Sequence, residues 1–255
     1  MSVIWSNSLR HLNGRRAGEG TTSLRGIRCR NMTMARQREP RTMPVGVRWV
    51  LRTAILALAF AGAAARAEDK FASRGSVQAK LSFCKDCHGT SAQGYAGFFP
   101  IPRLAGQQTE YLENQLRAFN EHRRANNIMS GIANTLSPAM ISALAAKLRE
   151  LNPPPVGGAP RRLMAEGKRI FDDGVPEANV AACAACHGPD APGVREIPRL
   201  AGQLFPYVVK ELTNWGKERG QNVAKPDTSF IMSPIAHSLT KPQIEAVAAY
   251  VSYLK

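Results

Sequence analysis

Apolar side chains recur at helical spacing at Ile141, Leu144, Ala145, Leu148 and Leu151, and the pattern returns 103 positions later at Ile244, Val247, Ala248, Val251 and Leu254. Each run is preceded by start signals. Ser137-Pro138 and Thr240-Lys241-Pro242-Gln243 supply a hydroxyl N-cap and a proline in the first turn, and Thr240 with Gln243 fits a capping box. Two further pairs of helices are predicted, one around Gly75 to Phe83 and Arg162 to Phe171, the other through Tyr111 to Phe119 and Tyr207 to Trp215. Alternating strand patterns are nearly absent, so the expected fold is all-α.

The paired helices belong to two copies of one unit. Cys84, Cys87 and His88 in "CKDCHG" recur 99 positions on as Cys183, Cys186 and His187 in "CAACHG". The heptapeptide "IPRLAGQ", Ile101 to Gln107, returns unchanged 96 positions on as Ile197 to Gln203, and Tyr111, Leu116 and Phe119 match Tyr207, Leu212 and Trp215 at the same offset. "MSGIANTLS" from Met129 then answers "MSPIAHSLT" from Met232, 103 positions on. Anchor points keep their order while loops change length, as in two copies of a fold rather than a solenoid. Between them, "LNPPPVGGAP" (Leu151 to Pro160) has three prolines that stop a helix and glycines that give flexibility, which marks a linker. The expected organisation is a leader and signal over 1–67, a first domain over 68–151, a linker over 152–160 and a second domain over 161–255.

Charge changes this picture little. The 255-residue chain has a formal net charge of +15, which resembles that of a nucleic-acid binder, but residues 1–67 hold twelve of the 34 basic residues and only two of the 19 acidic ones. The remainder has 22 basic and 17 acidic side chains, a mild excess of five, so no nucleic-acid partner is expected. Within the leader, Arg48 and Arg52 precede an apolar stretch from Thr53 to Ala65, and Ala65-Arg66-Ala67 has the small-x-small form of a cleavage site. The thirteen-residue stretch is short against the ~20 residues that span a bilayer. Export with cleavage after Ala67, and no stable membrane span thereafter, is the expectation.

Four of the five cysteines lie in the two C-x-x-C-H units, and the fifth, Cys29, lies in the leader. Two thiols three residues apart, with a histidine directly after, form the attachment signature of haem c. The thiols of Cys84 and Cys87, and of Cys183 and Cys186, would add to the two vinyl groups, with His88 and His187 as proximal iron ligands. Disulfides or zinc are the competing uses, but one C-x-x-C-H per half does not complete a four-ligand zinc shell. Each half has about 90 residues in roughly three helices, and chains this small bury a limited fraction of their surface. A covalently held apolar cofactor would fill the centre. Met232 is the only methionine after His187, and Met129 matches it in the first half, whereas Met140 aligns with Gln243 and starts the last helix. The matched methionines, on loops ahead of that helix, are the candidate sixth ligands, and Met140 is a packing residue. His122 and His237 lack symmetric counterparts and read as surface or loop histidines.

With "CKDCHG", "CAACHG", the paired "PRLAGQ" segments and the "MSxIAxxL" blocks, the chain from Glu68 to Lys255 resembles the dihaem cytochrome c4 family. The resemblance implies two tandem class I cytochrome c domains, two haem c groups with His/Met ligation, and a periplasmic carrier between a quinol-oxidising complex and a terminal oxidase. It also implies that the carbonyls of Pro102 and Pro198 accept the proximal imidazoles' Nδ1 protons. Arg103 and Arg199 either pair with haem propionates or are solvated. Tyr111, Tyr207, Phe119 and Trp215 line the core or pack near the porphyrin edge. The mild basic excess suits transient docking to acidic redox partners. The alternatives are a dihaem electron-transfer subunit of a periplasmic dehydrogenase, as in flavocytochromes, and a dihaem peroxidase, which needs an open axial position that a methionine in each copy does not leave.

Overall fold

The computed structural model describes residues 73–225 and 228–255. The leader over 1–67, with Cys29 and the expected cleavage point after Ala67, lies outside the described residues. Among these the fold is helical, and the only β pairing consists of isolated bridges such as Tyr95 with Ile101 and Val194 with Ile197. No single described helix is long and apolar enough to cross a membrane.

In the first half, α1 (Arg74–His88) runs unbroken through the cysteine pair to the histidine. It is followed by α2 (Thr109–Asn120), α3 (Asn127–Ala133) and α4 (Pro138–Arg149). Caps set the starts as the sequence predicts for α4: Ser137 Oγ accepts from Met140 N at 3.2 Å, with Pro138 in the first turn. Val77 and Leu81 of α1, Leu112 of α2, and Met140, Leu144, Ala145 and Leu148 of α4 close one core. Complete burial of a side chain such as Leu144 contributes about 1.5–3 kcal/mol.

The second half repeats the plan with one break. α5 (Met164–Asp173) stops before its cysteine pair, and α6 (Ala184–His187) carries only the end of the motif. α5 is the helix expected around Arg162 to Phe171, and the motif has a short helix of its own. Gly174 ends α5 at φ +76°, where a Cβ would overlap the carbonyl of Val180, and the buried pair Val175 and Val180 bridges the excursion that follows. α7 (Phe205–Thr213), α8 (Trp215–Glu218), α9 (Met232–Ser238) and α10 (Lys241–Tyr253) follow, with Thr240 and Gln243 forming the expected capping box of α10. Ile170, Phe171, Val208, Ile244, Val247 and Val251 share the core. α5 crosses α10 so closely that a Cβ on Gly167 would overlap the backbone of Ala246.

The proline-rich segment has no helix or strand from 151 to 160, but it is not a loose tether. Arg103 donates Nη2 to Pro153 O at 2.7 Å and Nη1 to Pro154 O at 3.3 Å, and Tyr253 Oη donates to Ala159 O at 2.7 Å. Prolines expose carbonyls without competing N–H donors, so side chains can pin the segment. The flexibility expected from its glycines is overridden by these bonds.

Candidate haem-binding sites

Both copies present the C-x-x-C-H residues at a helix end. Cys84, Cys87 and His88 occupy the last turns of α1, and Cys183 leads into α6, which holds Cys186 and His187. Within each pair one thiol is half-buried (Cys84, Cys183) and the next exposed (Cys87, Cys186), and none of the four is in a disulfide. Burial pushes the Cys84 thiol up and that of Cys183 up to about 11, so both are thiols at neutral pH rather than the reactive thiolates of a redox motif.

The histidines are buried, and each is oriented by the heptapeptide loop of its own half. His88 Nδ1 lies 2.9 Å from Pro102 O, and His187 Nδ1 lies 2.9 Å from Pro198 O. A carbonyl can only accept, so Nδ1 donates and Nε2 keeps its lone pair, the form that ligates a metal. Burial lowers both imidazoles' proton affinity while the carbonyls pull the other way, which favours the neutral ring.

A common loop sets this geometry. Ala92 and Ala191, fully buried at φ +56° and +54°, each accept two backbone bonds through one carbonyl. Leu104 N and Ala105 N reach Ala92 O at 2.9 and 3.0 Å; Leu200 N and Ala201 N reach Ala191 O at 2.9 and 3.1 Å. Those bonds bring the prolines over the histidines. The first loop's three extra residues are taken up beyond, between Tyr95 and Ile101, whereas Val194 closes directly on Ile197.

Met129 and Met232 are half-buried and sit on short helices, not on loops as expected. Asn126 caps α3 by accepting from Met129 N at 3.0 Å, which fixes that methionine's backbone. α3 packs on α2 and α9 on α7. The residues before the methionines, Ile128 and Ile231, are apolar and exposed. Met140, by contrast, is 5% exposed in the first core, as a packing residue should be. His122 and His237 are exposed. Paired thiols, a neutral imidazole with a free Nε2 and apolar flanks are the donor set and surroundings that a c-type haem requires.

Arg103 departs from one of its two expectations. Its guanidinium is buried and bonded to carbonyls, with Nε on Ala105 O at 3.0 Å besides the two linker prolines, so it is not a solvated arginine. Burial, with Arg199 nearby, depresses it to about 10, which leaves it charged at neutral pH. Arg199 is half-buried and bonds Ala201 O through Nε at 3.1 Å.

Sequence reasoning assigned no role to Gln107 and Gln203, yet these bind the halves together. Gln203 Oε1 accepts from Arg103 N at 2.8 Å and its Nε2 donates to Arg103 O at 3.1 Å. In the mirror arrangement Gln107 Oε1 accepts from Arg199 N at 2.7 Å and Nε2 donates to Arg199 O at 3.0 Å. Positions in a pseudo-two-fold contact must suit the same surface twice, which explains why "IPRLAGQ" is identical in both copies. That identity was the available signal. A second contact lies beyond it: Arg124 bonds Gln115, Tyr207 and Glu211, while Arg219 bonds Gln115 and Glu211. The aromatic residues thus serve this network. Tyr207 holds Arg124, and Phe119 and Trp215 carry the Arg124 and Arg219 guanidinium groups 4.9 and 4.4 Å from their ring centroids.

Comparisons with known proteins agree with this architecture. The family described as Cytochrome c matches residues 72–151 and 164–255. The chain is 34% identical over 209 residues to the thiosulfate dehydrogenase electron acceptor of Stutzerimonas stutzeri, covering 80% of this chain and 94% of the relative. It is 32% identical over 207 residues to cytochrome c4 of Pseudomonas aeruginosa, covering 80% and 98%. The crystal structure of reduced cytochrome c4 from Pseudomonas stutzeri superimposes with a TM-score of 0.61 at 29% identity, covering 71% of this chain and 98% of that one.

Proposed function

Since the chain belongs to the dihaem cytochrome c4 family, with tandem class I cytochrome c domains and two covalently bound haem c groups, we propose that it carries electrons in the periplasm from a quinol-oxidising complex to a terminal oxidase. It is an electron-transfer protein and not an enzyme. The exported form begins after Ala67, with domains over 68–151 and 161–255 joined through 152–160. Cys84 and Cys87 hold one haem and Cys183 and Cys186 the other. His88 with Met129, and His187 with Met232, would ligate the two irons. Haem iron would supply a one-electron couple there, and a methionine ligand would raise its potential by favouring the reduced ion.

The observation that carries this reading is the pair of Nδ1 to proline-carbonyl bonds at 2.9 Å, made identically in both halves. Each presents a neutral imidazole whose Nε2 is aimed by a rigid loop, and nothing in that arrangement needs a substrate. The test is stopped-flow absorbance with the purified mature protein, mixed first with a quinol-oxidising complex and then with a terminal oxidase. Reduction and reoxidation of both haems at rates that support respiration are expected.

A second reading has its own support in the Stutzerimonas stutzeri relative, which is named as the acceptor of a thiosulfate dehydrogenase. The chain would then take electrons from a periplasmic dehydrogenase rather than from a quinol-oxidising complex. Rapid reduction by such a dehydrogenase with thiosulfate, and slow reduction by the quinol-oxidising complex, would select it.

A further inference from the structure

The peptide unit between Pro102 and Arg103 is used on both sides. Its carbonyl accepts from His88 Nδ1 at 2.9 Å, and its N–H donates to Gln203 Oε1 at 2.8 Å, so a residue of the second half ends a hydrogen-bonded chain that begins at the first half's imidazole. The unit between Pro198 and Arg199 does the same in mirror image, with His187 Nδ1 at 2.9 Å on the carbonyl and Gln107 Oε1 at 2.7 Å on the N–H. An amide whose N–H is engaged carries more negative charge on its carbonyl oxygen, because hydrogen bonds in a chain polarise one another. The oxygen then draws harder on the Nδ1 proton, and the ring gains imidazolate character.

We infer that Gln203 and Gln107 are crossed positioning residues, each setting through a shared peptide unit the electron-donating strength of the imidazole in the opposite half. The inference rests on the reading of His88 and His187 as proximal ligands. Stronger donation stabilises the ferric ion, so each glutamine lowers the potential of the haem that it does not share a domain with. The clasp is buried: Gln107 and Gln203 are 5% and 7% exposed, so bulk water does not compete freely for the Arg103 and Arg199 amides. The second bond of each pair, from Nε2 to Arg103 O or Arg199 O, holds the side chain in the orientation that places Oε1 on the amide. The two potentials are thereby set jointly, and neither half has its native potential without the other's glutamine.

The experiment is a spectroelectrochemical titration of the intact dihaem protein and of Gln203→Leu and Gln107→Leu, with each haem identified by proton NMR through contacts of its thioether groups with α1 or α6. Gln203→Leu is expected to raise the potential of the haem on His88 and leave that on His187 in place; Gln107→Leu does the reverse. Gln203→Met and Gln107→Met, which keep the side-chain length, give the same crossed pattern where leucine prevents folding. A shift of the variant's own haem, equal shifts of both, or no shift overturns the inference. Absorption spectra of the same samples separate this failure from that of the ligand assignment: loss of a low-spin His/Met spectrum in the parent protein overturns the assignment, whereas an intact spectrum with unmoved potentials overturns the crossed tuning alone.

Discussion

Arg124 of the first half and Glu211 of the second are joined by a buried ion pair of 2.9 Å, with side-chain exposures of 11% and 8%. Arg219 approaches the same carboxylate at 2.7 Å, so one negative charge serves two guanidinium groups. Burial opposes ionisation of Glu211, but Arg124 and Arg219 outweigh it and hold its carboxyl down to about 2. A carboxyl depressed in the folded state stabilises the protein above its unfolded value near 4.5, and that contribution is lost as pH falls toward 2. Denaturant unfolding of the mature protein is therefore expected to weaken progressively across that window. Glu211→Gln, which leaves two buried arginines without a counter-charge, should cost about 3–5 kcal/mol at neutral pH and remove this part of the acid dependence. An unchanged acid profile in the variant would show that the loss originates elsewhere.

Met129 and Met140 separate ligation from packing. Met129→Ala should alter the low-spin spectrum of one haem. Met140→Ala should leave the spectrum and cost about 2–5 kcal/mol, the usual penalty for truncating a core side chain. Absorption spectra and chemical unfolding of the two variants check this, and the reverse result would refute the register that aligns Met129 with Met232.

Gly167 lies where α5 and α10 cross, and a Cβ there would overlap Ala246. Because the obstacle is backbone, the helices must separate to admit a methyl group. Gly167→Ala should destabilise the second half by about 1–3 kcal/mol. Thermal unfolding followed by circular dichroism would detect it. Gly75→Ala is the control, since a Cβ at Gly75 meets nothing within 4 Å and alanine is the better helix former.

Much of this fold was legible because its signals are local. The apolar spacing in α4 and α10, the caps at Ser137 and Thr240, and the two C-x-x-C-H units each lie within a few turns of chain. The proline carbonyls on His88 and His187 were also correctly expected, through family resemblance. What escaped was long-range. Gln107 and Arg199 are 92 positions apart, and no periodicity announces a clasp between them. The Arg103 guanidinium was expected among propionates or in solvent, whereas it reaches carbonyls 50 and 51 positions away in the linker. Local pattern also could not distinguish a loop from the short helices that bear Met129 and Met232.

The pinned linker yields a prediction of its own. Hydrogen bonds from a charged donor to carbonyls contribute about 1.5–3 kcal/mol each, and Arg103 makes two with Pro153 and Pro154. Arg103→Ala should free the segment from 151 to 160 and increase its cleavage under limited proteolysis. Arg199→Ala should not, because its side chain bonds Ala201 O, within its own half. Fragment masses would locate the cut, and equal protection in both variants would contradict the pinning.

The most direct test of the central claim is the near-infrared charge-transfer band between methionine sulfur and ferric iron, measured on the fully oxidised mature protein and scaled to its haem content. Intensity equal to two methionine-ligated irons per chain is predicted, with none remaining for an open or differently ligated site. Intensity equal to one iron, or to none, would contradict the account of a carrier whose two haems both exchange electrons and bind nothing else.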